Sequence, residues 1–112
     1  MRHVIAVIAV FGALTGVASA QSAVAGAKVF ADQKCSLCHS IAGKGNPKGP
    51  LDSVGSALSG DEIRQWITEA PEMAAKAKAE RKPAMKAFAT LAKGDLDALV
   101  AYLQTLKKSS SA

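Results

Sequence analysis

Large aromatic side chains are scarce in this chain of 112 residues. Beyond the first twenty positions the sequence offers only Phe30, Trp66, Phe88 and Tyr102. The length leaves room for one small domain, and a domain of this size buries only a modest fraction of its surface. Such domains often need a disulfide, a metal or a cofactor, and a large flat apolar cofactor would supply the missing core.

The sequence also lacks the alternation of polar and apolar residues that marks a half-buried strand, and its apolar spacing is helical throughout. Gly26 and Phe30 lie four positions apart on one face of the first predicted helix. The predicted class is all-α, with three or four short helices and long loops. In chain order the predicted elements are helix 23–32, loop 41–55, helix 60–70, helix 71–79, loop 81–90 and helix 94–106.

The helix that follows residue 59 has the clearest start signal. Ser59 is its N-cap, Glu62 can complete a capping box, and Leu58 and Ile63 occupy the positions of a hydrophobic staple. Pro71 marks its end. The apolar face of this helix consists of Ile63, Trp66, Ile67 and Ala70.

The last predicted helix has a strong apolar stripe but a weak start, because Ala92 and Lys93 cap poorly. Residues 107–112 are expected to form a frayed tail. The stripe consists of Leu96, Leu99, Val100, Leu103 and Leu106.

The first twenty residues predict a secretory signal. A short cationic start precedes an almost unbroken apolar run over 4–17, and a small-x-small cleavage site ends at Ala20. The competing interpretation is a retained anchor, but the apolar part is shorter than the ~20 residues that a spanning helix needs. We therefore predict a cleaved signal over 1–20, a mature domain over 21–112 and no stable membrane insertion. Export would place the domain in the periplasm, which is oxidising.

The positive charge of the chain narrows the range of partners. A formal net charge of +5 suits nucleic acid, an anionic membrane face or an acidic protein. We expect no nucleic-acid binding from an exported protein without a recognisable motif for it. An acidic protein is therefore the preferred partner.

The sequence Cys35-Ser36-Leu37-Cys38-His39 is a C-x-x-C-H motif, the signature of covalent haem attachment. Two thiols three positions apart on one turn can bond the two vinyl groups along one porphyrin edge, and the next imidazole then points at the iron. A thioredoxin-like dithiol would belong beside a βαβ pattern, which is absent, and a structural zinc site would need four ligands. A plain disulfide would leave His39 unexplained, so haem is favoured.

Over essentially all of the predicted mature chain, the sequence resembles a class I c-type cytochrome, the small soluble bacterial mono-haem kind. The resemblance implies the cytochrome c fold around one covalent haem c with its iron, and a crossing of the first and last helices. It is carried, in order, by Gly26 with Phe30, Cys35–His39, Gly49-Pro50-Leu51, Met85–Phe88 and Leu99–Leu103.

An electron carrier needs both axial positions of the iron filled. His39 is the only histidine of the predicted mature chain, which excludes ligation by two histidines within one chain. By resemblance Met85 is the second ligand, and Met/His ligation raises the reduction potential. The alternatives are Met73, which lies in an Ala-rich helix where Met ordinarily packs, Lys86, and an open site. Lys86 stands where the family commonly has proline.

Two further residues receive roles from the resemblance. The backbone carbonyl of Pro50 is expected to accept the second ring N–H of His39. Trp66 is expected to pack against the haem or its propionate edge, although an ordinary core position suits it nearly as well.

The function implied by the resemblance is electron transfer, not catalysis, and a monomer is the default expectation. We expect it to shuttle single electrons between larger redox proteins such as an oxidase, a quinol-oxidising cytochrome complex or a dehydrogenase. The alternative is a haem enzyme or gas-binding protein with an open sixth position, which would need a polar distal group. Cations expected to steer docking onto acidic faces are Lys44, Lys48, Lys76, Lys78, Arg81, Lys82 and Lys86.

Overall fold

The structure is a computed structural model that describes residues 15–108 of the chain. It confirms the mainly helical class, and it adds a small antiparallel hairpin that the sequence analysis did not predict. The helices are α1 (Thr15–Asp32), α2 (Val54–Ala57), α3 (Gly60–Thr68), α4 (Ala70–Ala77) and α5 (Lys93–Gln104). The strands are β1 (Ser40–Ile41) and β2 (Lys44–Gly45), and a 3-10 turn covers Cys35–Leu37.

Helix α1 crosses α5 at Gly26, as predicted. A Cβ atom at this position would overlap the backbone carbonyl of Ala98 and the Cβ of Tyr102, so only glycine permits this backbone approach. One turn later, the ring of Phe30 meets that of Tyr102 edge-on, with centroids 6.2 Å apart and planes inclined by 68°. Edge-to-face pairs are favoured by the ring quadrupole, so this contact fixes how the two helices cross.

The hydrophobic core lies where α1, α3 and α5 meet. On α3 the predicted face is confirmed for Ile63 and Ile67, which are almost completely buried, whereas Trp66 is only half-buried. Cys35 and Phe88 pack against this core from outside, so the attachment motif and the loop after Met85 both rest on it. The core consists of Val29, Phe30, Ile63, Ile67, Leu99, Val100 and Leu103.

The predicted capping box at the start of α3 is present. The Ser59 hydroxyl accepts a hydrogen bond from the Glu62 backbone N–H at 3.1 Å, and the Glu62 carboxylate accepts one from the Ser59 N–H at 3.0 Å. Beyond this helix, Pro71 lies in the first turn of α4, where its missing N–H costs no hydrogen bond. The break between α3 and α4 lies at Glu69, which is the C-cap of one helix and the N-cap of the next, so the first helix ends before the stop predicted at Pro71.

We expect Ser59→Ala to lower the free energy of unfolding of the haem-loaded protein by about 1 kcal/mol, because it removes the N-cap acceptor. Ser53→Ala is the matched control, since Ser53 is the N-cap of α2 but makes no side-chain capping bond. Equilibrium denaturation would compare the two variants. Equal losses would contradict the role given to the capping box.

The hairpin depends on a tight turn that carries no common sequence signal. Ala42 and Gly43 both have positive φ, 52° and 79°, and two such residues between antiparallel strands form a type I′ turn. An alanine is rare in this conformation, and the strands are only two residues long. This part of the sequence has no Asn-Gly pair and no alternation of polar and apolar residues, so the hairpin was not predicted. The loop predicted over 41–55 is therefore wrong in part, since residues 40–45 form the hairpin.

The two ends of the described region bear on the signal and tail predictions. Helix α1 begins at Thr15, eight residues before its predicted start, and passes through the predicted cleavage point; no proline interrupts this stretch. Within residues 15–108 no helix combines the length and hydropathy needed to cross a membrane. Most of the predicted signal, residues 1–14, and most of the predicted tail, residues 109–112, lie outside the described residues, so cleavage stays a prediction.

The described part of the tail is attached to the domain. The backbone N–H of Lys108 donates to the Ser56 hydroxyl at 2.7 Å, and the Gly55 N–H donates to the Leu106 carbonyl at 2.7 Å. Residues 107 and 108 are not helical, as predicted, but these hydrogen bonds hold this part of the tail against α2.

Candidate functional site

The C-x-x-C-H motif forms one compact turn immediately after α1. Lys34 adopts the left-handed conformation, with φ 58°, and so redirects the chain into the 3-10 turn. The backbone N–H groups of Cys38 and His39 both donate to the Cys35 carbonyl, at 3.1 and 2.9 Å. Both cysteines are half-buried free thiols. The predicted thiols and imidazole thus share one turn of chain.

Asn46 braces this turn, a role that the sequence analysis missed. Its backbone N–H lies 3.0 Å from the Ser36 carbonyl and 3.1 Å from the His39 carbonyl, and its side-chain amide donates to the Leu37 carbonyl at 3.1 Å. Asn46 thereby donates to the carbonyls of Ser36, Leu37 and His39, three of the five in the motif. The Asn-Pro dipeptide at 46–47 is a turn signal that could have drawn attention to it.

The carbonyl that faces His39 belongs to Gly49, not to Pro50 as predicted. The Nδ1 of His39 lies 3.1 Å from the Gly49 oxygen, which also accepts the Ser40 N–H at 3.0 Å. The backbone N–H of Leu51 donates to the Ser40 carbonyl. Ser40 is therefore bonded to the residues on either side of Pro50, which is the pattern of a parallel bridge. In that pattern the carbonyl of the central residue points to the opposite side.

The hydrogen bond to Gly49 decides which nitrogen of His39 can bind a metal. A carbonyl can only accept, so Nδ1 carries the proton and Nε2 keeps its lone pair. Burial lowers the pKa of His39; the bond to Gly49 opposes this, and the positive charge of Arg81 adds to it. The neutral imidazole, which is the metal-binding form, is therefore favoured at neutral pH.

The thiol of Cys35 is also held in its neutral form. Burial raises the pKa of Cys35, and Cys38 acts in the same direction, whereas a backbone N–H and the charge of Lys86 oppose them. Lys86 therefore lies near the motif, and its ammonium stands 5.1 Å from the centre of the Phe88 ring. The segment around Met85 thus returns to the attachment turn.

Met85 lies between two stretches that line clefts, and one of these clefts includes Cys38 of the motif. Arg81, Lys82 and Pro83 line one cleft together with Cys38, and Lys86 to Phe88 line another with Gln33 at the end of α1. The Phe88 N–H donates to the Ile67 carbonyl at 2.8 Å, which ties the segment to α3. Met73 lies instead within α4. Both methionines are half-buried, so burial does not choose between them.

The arrangement fits a covalently attached porphyrin. Two unpaired thiols and an imidazole with a free Nε2 share one turn, which is the donor set that such a group needs. A cleft of about 610 Å³ opens beside Cys38, and Leu37 at its wall is 69% exposed although apolar. Trp66 is half-buried and lies outside the core cluster, and its contact with the haem stays a prediction.

Comparison with known proteins agrees with this chemistry. The family model described as cytochrome c matches residues 23–107, which include the attachment turn and both candidate methionines. No curated protein and no solved structure is significantly similar to the chain. Because the family match spans well over half of the sequence, the protein belongs to the cytochrome c family, whose members carry covalently attached haem c with its iron and use it in electron transfer.

Proposed function

We propose that this protein is an exported class I cytochrome that carries single electrons between larger redox proteins, with His39 and Met85 as the axial ligands of its haem iron. The observation that carries the proposal is the His39–Gly49 hydrogen bond, which leaves Nε2 of a half-buried neutral imidazole available beside two free thiols. The family match supports haem-based electron transfer in general.

Each residue of the site has a defined task in this proposal. Cys35 and Cys38 supply the two thioether bonds, and His39 supplies the proximal nitrogen, oriented by the Gly49 carbonyl. Met85 supplies a sulfur from the segment that returns past the motif. When bound, haem c supplies a one-electron couple. With both axial positions occupied by the chain itself, the iron would bind no substrate, which separates a carrier from a haem enzyme.

The visible spectrum of the purified ferric protein tests this function. We expect low-spin haem with a methionine-sulfur charge-transfer band, and no spectral change on adding carbon monoxide to the reduced form. A high-spin spectrum that changes with carbon monoxide or cyanide would instead favour the enzyme or gas-binding interpretation. The experiment needs no knowledge of the partner.

The surface beside Cys38 is suited to an acidic partner. Three cations, Lys48, Arg81 and Lys82, line the same cleft as the exposed Leu37, and no carboxylate lines it. The salt bridges found within residues 15–108 use other cations, namely Lys28, Arg64 and Lys93. These charges are therefore available to attract the acidic face of an oxidase, a quinol-oxidising complex or a dehydrogenase.

We expect the bimolecular rate of electron transfer to an acidic redox protein to fall steeply as ionic strength rises, because salt screens the attraction between separated surface charges. Stopped-flow mixing with an acidic acceptor over a salt series measures this. The double variant Lys48→Gln, Lys82→Gln should flatten the salt dependence. Lys107→Gln, which removes a charge that does not line the cleft, should change it less. A flat response of the unaltered protein would eliminate electrostatic steering.

A further inference from the structure

Arg81 lies four residues before Met85, yet its side chain reaches the loop that supports His39. Its guanidinium fills the space into which a side chain at position 49 would project, and the Cys38 carbonyl bounds the same space. Gly49 is therefore required not for an unusual φ but because a Cβ would overlap the Cys38 carbonyl, and its lack of a side chain leaves room for the Arg81 guanidinium. The planar guanidinium suits this position, because it is weakly hydrated and stacks on flat groups.

The charge of Arg81 lies close to the group that orients His39. The guanidinium lies against the Gly49 residue, whose carbonyl oxygen is 3.1 Å from Nδ1 of His39. No salt bridge within residues 15–108 neutralises Arg81, and its neighbours in the cleft, Lys48 and Lys82, are themselves cationic. An arginine stays charged at any physiological pH, so this charge is permanent.

We propose that Arg81 is a positioning residue for the redox centre: it packs the Met85 segment against the Gly49 peptide that orients His39, and it sets a fixed positive charge beside the proximal ligand. That charge disfavours the ferric state, which carries one more positive charge than the ferrous state, and so it raises the reduction potential. The inference rests on the proposed role of His39 as the proximal ligand.

The midpoint potential of the haem-loaded protein tests this role. We expect Arg81→Gln to shift the ferrous–ferric equilibrium about tenfold toward the ferric form, which for a one-electron couple is about 59 mV lower. Arg81→Lys, which keeps the charge, should recover at least half of this shift. Lys82→Gln is the matched control, because it removes one positive charge from the adjacent residue of the same cleft, and it should move the potential less than half as far.

Two results would overturn the proposal. One is a potential that Arg81→Gln leaves unchanged, even if the variant is less stable, since a merely structural residue would behave in this way. The other is an equal shift from Lys82→Gln, which would mean that any nearby charge suffices. The proposed function fails separately: an unaltered protein with high-spin haem would refute axial ligation before any variant is made.

Discussion

Replacing Met85 by alanine should abolish the methionine-sulfur charge-transfer band of the ferric protein and lower its reduction potential. Alanine offers no atom that can bind iron, and loss of Met/His ligation removes the ligand that raises the potential. Met85 is the methionine whose flanking residues line the clefts beside Cys38 and Gln33. The ferric spectrum and a redox titration measure both effects on the same sample.

Met73→Ala is the matched control for this experiment. It removes a half-buried methionine from α4, so it should lower stability modestly while leaving the band in place. A band lost in the Met73 variant and kept in the Met85 variant would reverse the assignment. Retention of low-spin haem without the sulfur band in the unaltered protein would point to Lys86, which adjoins Met85 and acts electrostatically on Cys35.

The double replacement Cys35→Ser, Cys38→Ser should leave a chain without covalent haem. A serine hydroxyl does not form the thioether, so denaturing electrophoresis should show no haem stain on the polypeptide. In a host able to attach haem c, the intact mass of the unaltered protein should equal the processed chain plus one haem, with Gln21 first if the predicted cleavage occurs. The variant should show the chain mass alone.

Ser36→Ala is the control for the double variant, because Ser36 is an exposed residue between the two cysteines and should leave attachment intact. Each single cysteine variant should retain one thioether and stain more weakly. A double variant that still carried haem through denaturation would show that these thiols are not the attachment points.

The helices were predictable where local chemistry and long-range packing agree. Ser59 and Glu62 form their capping box from adjacent backbone and side-chain atoms, so the sequence alone contains the whole motif. The crossing at Gly26 was predictable from the resemblance, because a glycine in a helix face marks a close approach. The hairpin was not, since Ala42 adopts a left-handed conformation that its residue type disfavours.

Within the site, the residues that are neighbours in sequence were also predictable, whereas the contacts between distant residues were not. Cys35, Cys38 and His39 are neighbours in sequence, so their common turn follows from the motif itself. The acceptor for His39 depends on the bridge between Ser40 and Pro50, whose register decides whether Gly49 or Pro50 faces the ring. The contact of Arg81 with Gly49 joins positions 32 residues apart, and no local pattern indicates it.

The crossing of α1 with α5 has a consequence for how the chain is made. Its two partners come from opposite ends of the domain, so their contact has a long sequence separation and cannot form until α5 has been synthesised. In the exported chain that we propose, Cys35 and Cys38 would emerge from the membrane before α5 does. An enzyme that acts on the two thiols during export would therefore meet them in an open chain, ahead of the closure that half-buries them.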